Sequence, residues 1–513
     1  MSLPLRLHPA RLPPPHKEPS FALPNNLCTG HGLWPSTEGG SEIRPTTPRE
    51  DHVNFIIIVS DTLRRDHLGL YGNDWIRTPY LDRFAERCIV FDRAYTGSFP
   101  TIPHRTDVMT GRYSFTYTDW APLQRDITVL SQALGAAGYL TYMIVDTPHM
   151  IRDGFYFDRG FSGWQWIRGQ EGDRYLTAPA EVEIPCSPEK LRETTRTVSQ
   201  YLRNTSLRQH EEDYFAPMTM RTAEHWLERN YKQHPFFLYV DTFDPHEPWD
   251  PPRYYTDMYD PGYEGEEVTY PIYGPATYLT EAELKHMRAL YAGEVTMVDR
   301  AVGRLLQKVE DLGLLDDTCV IFTTDHGFYI GEHNLTGKVV MLYEEVCHIP
   351  FMVRMPGGAG ARRSASLIQP ADIMPTLLEL AGAGDPGTMH GHSLAPLLKG
   401  DDRPLREVAV SSWAIIHEPK ERGPLTTDPY TWFKQAWGLK PSTVNDGEWA
   451  LICGARDVEP ELYHLPSDPA QRHDVFAQRT DEAKRLHAAY LEFLESVGTQ
   501  EQFIARRREL PVA

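Results

Sequence analysis

The segment NFIIIVSDT at residues 54–62 joins a continuous run of large apolar side chains directly to polar ones. A short run of this kind is typical of a strand that is buried on both faces of a parallel sheet. The same pattern recurs in TVLSQALGAAGYLTYMIVDT (128–147), PFFLYVDTFDPHEPW (235–249) and TCVIFTTDHG (318–327). The repetition predicts several buried strands whose ends carry polar, chemically reactive side chains.

Helical patterns alternate with these predicted strands. Residues 78–88 place apolar side chains at helical spacing, with Thr78 as a cap and Pro79 in the first turn. This alternation predicts the α/β class, with a doubly wound, mostly parallel sheet flanked by helices. Because ligands bind beyond the carboxyl ends of the strands in such sheets, we expect the polar strand ends to share one site. These ends are Asp61, Asp146–His149, Asp241–His246 and Asp325–His326.

The chain of 513 residues is long enough for more than one domain. Residues 1–50 contain ten prolines and predict an extended N-terminal arm. Residues 51–394 form the predicted large α/β domain, and 395–513 a smaller C-terminal α+β subdomain with short antiparallel strands and a terminal helix. Two interpretations of the arm stay open: a floppy tail, or an arm that wraps the body or a partner subunit in a homo-oligomer.

The overall charge argues against broad binding to polyanions. The chain has 51 Lys and Arg residues against 71 Asp and Glu residues, a net charge of −20, so no nucleic-acid partner is expected. Six scattered cysteines without a CxxC pair are typical of reduced thiols in a cytoplasmic protein. Because the chain has no long apolar run, no membrane association is expected. Positive charge for an anionic substrate must therefore be concentrated locally.

Two strand ends could supply the ligands of a metal ion. Asp325 and His326 close one apolar run, and Asp61 closes another. A single strand-end aspartate is more often a turn residue, but two aspartates and a histidine make a partial shell for a divalent cation. The mixed carboxylate and imidazole set favours Mn²⁺, Zn²⁺ or Fe²⁺, with Ca²⁺ or Mg²⁺ as alternatives.

The segment SFPTIPHRTDVMTGR at 98–112 has two interpretations. If Thr101 begins a helix, its hydroxyl and the free backbone N–H groups face an anion, and Arg105 lies one turn away on the same side. Alternatively, Thr101 is a plain helix cap and Arg105 forms a salt bridge at the surface. The segment alone leaves both open.

Taken in order, several stretches resemble the sulfatase branch of the alkaline phosphatase superfamily, and most of all its phosphonate monoester hydrolase and phosphodiesterase members. The resemblance extends over about residues 53–495. Its stretches are SDTLRRDHLGLYGN, TPYLDRFA, TIPHRTDVMTGRY, TTDHGFYIGEHNLTGK, QPADIMPTLLELAG and ELYHLPSDPAQRHD. It implies an alkaline phosphatase-like fold and a catalytic role for the domain at 51–394.

The resemblance implies roles for individual residues. It makes Asp61, Asp325 and His326 ligands of one metal ion, with Thr101 at the nucleophile position, bridging to that metal. It makes Arg105 the residue that holds the nucleophile.

The resemblance also implies a set of substrate contacts. His246 and Lys338 would bind the charged oxygens of a small anionic ester or assist the leaving group, with His246 favoured as general acid because an ordinary imidazole titrates near neutrality. Thr147 and His149 fall in a further substrate-contacting segment. Thr62 falls where relatives have a second oxygen ligand.

Two alternatives remain open at this point. A second metal site, as in two-metal relatives, would need Asp241 or Asp244 together with His246 and His333, and one metal is favoured. A non-catalytic binding protein is the other, but the retained metal shell argues against it.

The residue at the nucleophile position departs from the family pattern. Sulfatases use a cysteine or serine that is oxidised to formylglycine, but threonine has no thiol and carries a methyl group on Cβ, so no formylglycine is expected. A threonine alkoxide can attack when a metal lowers its pKa. We therefore expect a metal-dependent hydrolase of phosphodiesters or phosphonate monoesters that forms a covalent intermediate on Thr101. The alternative is a sulfatase that acts without formylglycine.

Overall fold

The structure of this protein is a computed structural model that describes residues 52–511, apart from 180, 359, 402, 418–427, 437 and 456–457. The predicted N-terminal arm at 1–50 lies outside the described residues. In the described part, the strands are β1 (Asn54–Ser60), β2 (Ile89–Ala94), β3 (Leu140–Val145), β4 (Gly163–Trp166), β5 (Phe236–Thr242), β6 (Gly274–Pro275), β7 (Thr318–Thr324), β8 (Tyr329–Ile330), β9 (Leu335–Gly337), β10 (Phe351–Arg354), β11 (Arg362–Ile368), β12 (Ala409–Ser412), β13 (Ser442–Asn445), β14 (Trp449–Cys453) and β15 (Glu461–His464).

The α-helices of the same part connect and flank these strands. They are α1 (Pro79–Ala85), α2 (Thr101–Thr110), α3 (Leu130–Ala136), α4 (Pro148–Ile151), α5 (Ser199–Thr205), α6 (Phe215–Asn230), α7 (Arg253–Thr256), α8 (Glu281–Asp311), α9 (Glu344–Cys347), α10 (Ile373–Ala381), α11 (Ala395–Leu398), α12 (Pro429–Ala436), α13 (Thr480–Ser496) and α14 (Glu501–Ala505). The long helix α8 begins with a capping box, in which the side chains of Thr280 and Glu283 each accept a hydrogen bond from the other's backbone amide.

The main sheet has eight strands in the order β11-β2-β10-β7-β1-β5-β3-β4. Its central strands β7, β1, β5 and β3 are parallel, and β10 is the strand that runs antiparallel to both of its neighbours. The predicted α/β class and the mostly parallel sheet are therefore confirmed.

Between its polar end residues, Asn54 and Ser60, strand β1 is apolar because both of its faces are buried. Ile56 and Ile58 pack into one core, which includes apolar residues of α6 and α8. Phe55, Ile57 and Val59 point to the other face and pack with residues of α2, α3 and α10. Since successive side chains of a strand alternate between faces, a strand with a core on each side carries no polar residue until it ends.

A smaller sheet lies in the C-terminal region. It is antiparallel, with the order β12-β13-β14-β15, and packs with α13 and α14 around a third core. This agrees with the predicted smaller α+β part, whose boundary at 394/395 stays a prediction. Among the described residues, no helix has the length and apolar character that crossing a membrane requires.

Candidate active site

Four neighbouring strands of the main sheet each place an aspartate at the same edge. Asp325 follows β7 and Asp61 follows β1, and the register pairs the preceding residues of these strands directly. Asp241 lies near the end of β5, and Asp146 follows β3. All four side chains are fully buried. The carboxyl ends of the strands thus bring buried negative charge to one place, as in other open α/β sheets.

Three of the predicted metal ligands lie together at this edge. Ligand atoms of Asp61, Asp325 and His326 fall within 4.8 Å of one another, and all three residues are buried. Nδ1 of His326 donates a hydrogen bond to the carbonyl oxygen of Gly327 at 3.0 Å, which leaves the lone pair on Nε2. Nε2 lies 3.3 Å from Oδ2 of Asp325. Fixing one ring nitrogen on a carbonyl is how proteins orient a histidine for metal binding.

The charge states of these groups fit a divalent cation. Burial lowers the pKa of His326 to about 3, so the ring is neutral near pH 7. Burial, and then the nearby Asp325 carboxylate, raise the pKa of Asp61 well above its ordinary value. Although burial alone would raise it, His326 and Arg105 hold the pKa of Asp325 well below its ordinary value. Two crowded carboxylates beside a neutral imidazole form a donor set that suits Mn²⁺, Zn²⁺ or Fe²⁺.

Thr62 holds the two carboxylates in place. Its hydroxyl donates to Oδ1 of Asp61 at 2.6 Å, and its backbone N–H donates to Oδ1 of Asp325 at 2.9 Å. To do so it adopts a φ of 63°, a conformation that β-branched residues rarely take. Because the hydroxyl is already donated, the structure places Thr62 as a support for the ligands. Strained backbone of this kind clusters at functional sites.

Gly327 allows the backbone of α9 to approach the chain directly after the two ligands Asp325 and His326. A Cβ atom at this position would lie 1.9 Å from the carbonyl oxygen of Glu345. Any larger residue would push apart the segments that carry the ligand pair. The glycine is therefore required by the close approach of α9.

Arg105 is fully buried and bonded to three of the strand-end aspartates. Its Nη1 lies 3.0 Å from Oδ2 of Asp61 and also hydrogen-bonds Oδ2 of Asp325. Its Nε and Nη2 donate to the two oxygens of Asp241 at 3.1 and 2.9 Å. The interpretation of Arg105 as a surface salt bridge is therefore wrong, because the guanidinium lies inside the site.

Thr101 is the first residue of α2, as one of the two interpretations of its segment requires. It is 1% exposed and lies in the wall of a cavity of about 170 Å³. Gly111, with a φ of 65°, ends the helix in a left-handed conformation. The cavity wall also contains three predicted substrate-binding residues, His149, His246 and Lys338.

Thr147 contacts the strand-end aspartate Asp241. It is fully buried, and its hydroxyl donates to Oδ1 of Asp241 at 2.5 Å. The structure therefore places Thr147 next to the partner of Arg105, and its predicted contact with substrate stays a prediction.

His246 and Lys338 form a close pair in the cavity wall. Nδ1 of His246 donates to the carbonyl oxygen of Glu247 at 2.6 Å, so Nε2 carries the lone pair. Nζ of Lys338 lies 2.6 Å from this Nε2. Burial, and then the charge of Lys338, lower the pKa of His246 well below its ordinary value. The resting imidazole is neutral, whereas the sequence predicts an ordinary imidazole that titrates near neutrality.

Five further residues of the cavity wall were not found from the sequence. They are Trp120, Glu171, Arg192, Tyr273 and Trp413. Oε2 of Glu171 lies 3.0 Å from Nε2 of His149, and the ring centroid of Trp120 lies 5.1 Å from that of His149. These residues lie in loops, or in the C-terminal region, that no strand-end pattern marks.

The ligands proposed for a second metal do not come together. Oxygens of Asp241 accept hydrogen bonds from Arg105, and those of Asp244 accept from Gln170 and the amide of Ala216. His333 stacks on the Tyr343 ring, 3.9 Å between centroids. Among the described residues, the one group of three or more potential metal ligands is the set at Asp61.

Comparisons with known proteins agree with this geometry. The family model described as sulfatase matches residues 53–383, which is more than half of the chain. A second model, described as the C-terminal part of N-sulphoglucosamine sulphohydrolase, matches residues 331–496.

Individual relatives span most of the chain. An arylsulfatase of Clostridium perfringens is 27% identical over 439 residues, covering 74% of this chain and 86% of that protein. The multifunctional alkaline phosphatase superfamily protein PehA of Trinickia caryophylli is 27% identical over 411 residues, covering 67% of this chain and 77% of that protein.

Solved structures show the same fold. The phosphonate monoester hydrolase of Agrobacterium radiobacter superposes with a TM-score of 0.67 at 22% identity, covering 87% of this chain and 95% of that chain. Together with the family model and the buried metal-ligand set, these likenesses confirm the resemblance seen in the sequence motifs. The chain belongs to the sulfatase family of the alkaline phosphatase superfamily and is an ester hydrolase.

Proposed function

We propose that this protein is a metal-dependent hydrolase of phosphodiesters or phosphonate monoesters that works through a covalent intermediate on Thr101. The observation that carries the proposal is a threonine at the start of α2, in the cavity wall, whose carbonyl oxygen lies near Nη1 of Arg105, the guanidinium that is bonded to the metal-ligand set. A threonine side chain cannot become an aldehyde hydrate, so an ester formed on it must be cleaved by water. Covalent catalysis by a hydroxyl followed by hydrolysis is well suited to phosphorus centres.

The residues divide the chemistry between them. A divalent cation held by Asp61, Asp325 and His326 would supply positive charge that lowers the pKa of a nearby hydroxyl and offsets negative charge on the substrate. The hydroxyl of Thr101 loses its proton to solvent, its Oγ1 attacks phosphorus, and the bond from phosphorus to the leaving oxygen breaks. Arg105 holds the first turn of α2 against the strand ends, because its Nη1 also lies 3.4 Å from the carbonyl oxygen of Thr101.

Lys338 and His246 act on the leaving group. The pair holds one proton between Nζ and Nε2, and this proton passes to the departing alkoxide, which leaves as the alcohol. A water molecule then attacks phosphorus and gives one proton to the pair and the other to the departing Oγ1 of Thr101, which releases the free threonine and the product anion. This assignment replaces a lone His246 acid with a Lys338–His246 pair, because the neutral His246 has no spare proton on Nε2.

A sulfatase that acts without formylglycine is the second candidate. The arylsulfatase of Clostridium perfringens and the sulfatase family model support sulfate esters as substrates. Sulfate monoesters, phosphodiesters and phosphonate monoesters all carry a single negative charge, so the same cavity suits each of them. The two candidate functions differ in whether water must cleave a phosphorus ester or a sulfate ester on Thr101.

Turnover of an aryl phosphodiester, an aryl phosphonate monoester and an aryl sulfate by one Mn²⁺-loaded preparation tests the proposal. We expect the phosphorus esters to be preferred, and Thr101→Ala to lower kcat by at least about 1,000-fold, the scale on which enzymes lose a nucleophile. Thr101→Ser, which keeps the hydroxyl, is the matched control and should retain activity. Rapid quenching followed by mass spectrometry should find the phosphorus adduct on the peptide that contains Thr101. A preference for aryl sulfate would favour the second candidate, and an active Thr101→Ala enzyme would refute both.

A further inference from the structure

Arg105 contacts both carboxylates of the metal-ligand set. Its Nη1 is bonded to Oδ2 of Asp325 and lies 3.0 Å from Oδ2 of Asp61. Oδ2 of Asp325 is also the oxygen that faces Nε2 of His326, at 3.3 Å. A guanidinium and a divalent cation would therefore share two carboxylates, and two like charges in one buried place repel each other strongly.

Asp241 contacts the other side of the same guanidinium. Its two oxygens accept from Nε and Nη2 of Arg105 in a two-point contact, the strongest geometry for this pair. They also accept hydrogen bonds from the hydroxyls of Thr147, at 2.5 Å, and Tyr239, at 2.8 Å. Because four donors surround it, Asp241 is held as a partner of Arg105 and is not presented as a metal ligand.

The charges of this group balance only when Asp241 is included. Asp61 and Asp325 against Arg105 leave one net negative charge, too little for a divalent cation. Asp241 adds a second negative charge, since both of its oxygens are bonded to Arg105. The buried cluster then matches a divalent cation in charge.

From this geometry we infer that Asp241 is a positioning residue: it neutralises and fixes Arg105 so that the guanidinium and a divalent cation can share Asp61 and Asp325. The inference rests on the metal-dependent function proposed above and goes beyond it, because it assigns metal affinity to a residue that would not touch the metal. Thr147 acts in the same unit, since its hydroxyl orients the Asp241 carboxylate.

Binding of Mn²⁺ to the metal-free full-length protein tests the inference without any turnover. The concentration of free Mn²⁺, read from its paramagnetic resonance signal, gives Kd for each variant. We expect Asp241→Asn to weaken Mn²⁺ binding by about 10-fold or more, because an uncompensated guanidinium then repels the ion. Asp146→Asn is the matched control: Asp146 is the next strand-end aspartate, equally buried, but bonded to Thr219 and Thr242. Its Kd for Mn²⁺ should stay at the wild-type value.

Arg105 variants separate charge from packing. Arg105→Gln should tighten Mn²⁺ binding, and Arg105→Gln combined with Asp241→Asn should restore a Kd near that of the wild type. This expectation can be checked with Arg105→Gln alone, even if Asp241→Asn does not fold. Weaker Mn²⁺ binding by Arg105→Gln, or wild-type binding by a folded Asp241→Asn, would overturn the inference.

The outcomes also separate this inference from the proposed function. If the wild type binds Mn²⁺ but Thr101→Ala stays active, the proposed function is refuted. The Kd values of the Asp241 and Arg105 variants for Mn²⁺ then still decide the inference. If the wild type binds no Mn²⁺, the inference fails with the metal site.

Discussion

Nζ of Lys338 lies 2.6 Å from Nε2 of His246, and this contact defines how the cavity can donate a proton. The imidazole is an acceptor here, because its Nδ1 already donates to the carbonyl oxygen of Glu247. In the proposed mechanism, the proton that reaches a leaving group therefore comes from the ammonium side of the pair. General acid catalysis of this kind is needed most when the leaving alcohol is a poor one.

Loss of Lys338 should therefore affect substrates unequally. We expect Lys338→Met to lower kcat by about 100-fold or more for an alkyl leaving group, the usual scale for loss of a general acid. For an ester with a nitrophenyl leaving group, which departs without a proton, kcat should fall much less. Measuring kcat across esters of graded leaving-group pKa checks this, and an equal loss across the series would argue for a purely electrostatic role of Lys338.

Metal binding should stabilise the fold. Burial and the nearby Asp325 carboxylate raise the pKa of Asp61. The two negative charges therefore repel each other, and a cation between them would relieve this repulsion. We expect Mn²⁺ at about 100 times its Kd to raise the free energy of unfolding by about 2.7 kcal/mol. Thermal melts with and without Mn²⁺ measure this, with Asp325→Asn as the control that should lose the effect. An equal gain in Asp325→Asn would mean that the ion binds elsewhere.

Thr62 variants should separate backbone strain from hydrogen bonding. Asparagine tolerates a positive φ and keeps a donor, so we expect Thr62→Asn to raise the free energy of unfolding by up to about 1 kcal/mol.

Thr62→Val keeps the shape and the strain but leaves Oδ1 of Asp61 without its hydroxyl donor. It should destabilise the protein by about 1.5–3 kcal/mol, the cost of losing a hydrogen bond to a charged group. Denaturant unfolding of the two variants checks both signs, and equal stability of Thr62→Val and wild type would contradict the assignment.

His104 should make the protein sensitive to acid. It is fully buried on α2, and among the described residues neither ring nitrogen has a hydrogen-bond partner. Burial lowers the pKa of His104 from 6.5 to about 3. As the pH falls below 6.5, the unfolded chain takes up a proton that the folded chain excludes, so stability falls until about pH 3.

Replacement of His104 should remove this part of the acid sensitivity. At pH 5, His104 lowers the free energy of unfolding by about 2 kcal/mol relative to pH 8, because each pH unit below the unfolded pKa of 6.5 contributes about 1.4 kcal/mol. We expect His104→Leu to flatten the dependence of unfolding free energy on pH by that amount, as measured by denaturant unfolding at pH 8 and pH 5. His225→Leu, on the exposed face of α6, should leave the dependence unchanged. An unaltered slope in His104→Leu would show that the acid sensitivity arises elsewhere.

The sequence predicted those parts of the site that follow from strand periodicity and ordered motifs. Asp61 and Asp325 are placed by their strands, since a buried apolar run can admit a polar residue only where it ends. Arg105 follows from Thr101 by one helical turn. These positions depend on local geometry, which a sequence pattern records directly.

The remaining site residues depend on contacts between distant segments. Glu171, whose backbone φ is 46°, lines the cavity from an irregular loop, and Trp413 lines it from the C-terminal region. No periodicity marks either residue, because loops are positioned by the elements around them. The pKa of His246 was also beyond a sequence pattern, since it is set by burial and by Lys338, which lies 92 positions away.

The central strand β1 has two neighbours in the sheet, β5 and β7, and the second of them is synthesised long after β1. β1 pairs with β7, and the hydroxyl of Thr324 donates to the carbonyl oxygen of Ser60 across 264 positions of the chain. At a translation rate of about 5–20 residues per second, the apolar segment 54–62 lacks this second partner for about 10–50 s after its own synthesis. Such a high contact order favours slow folding and contact with chaperones. In stalled nascent chains, β1 should resist proteolysis only once the segment beyond Asp325 has left the ribosome.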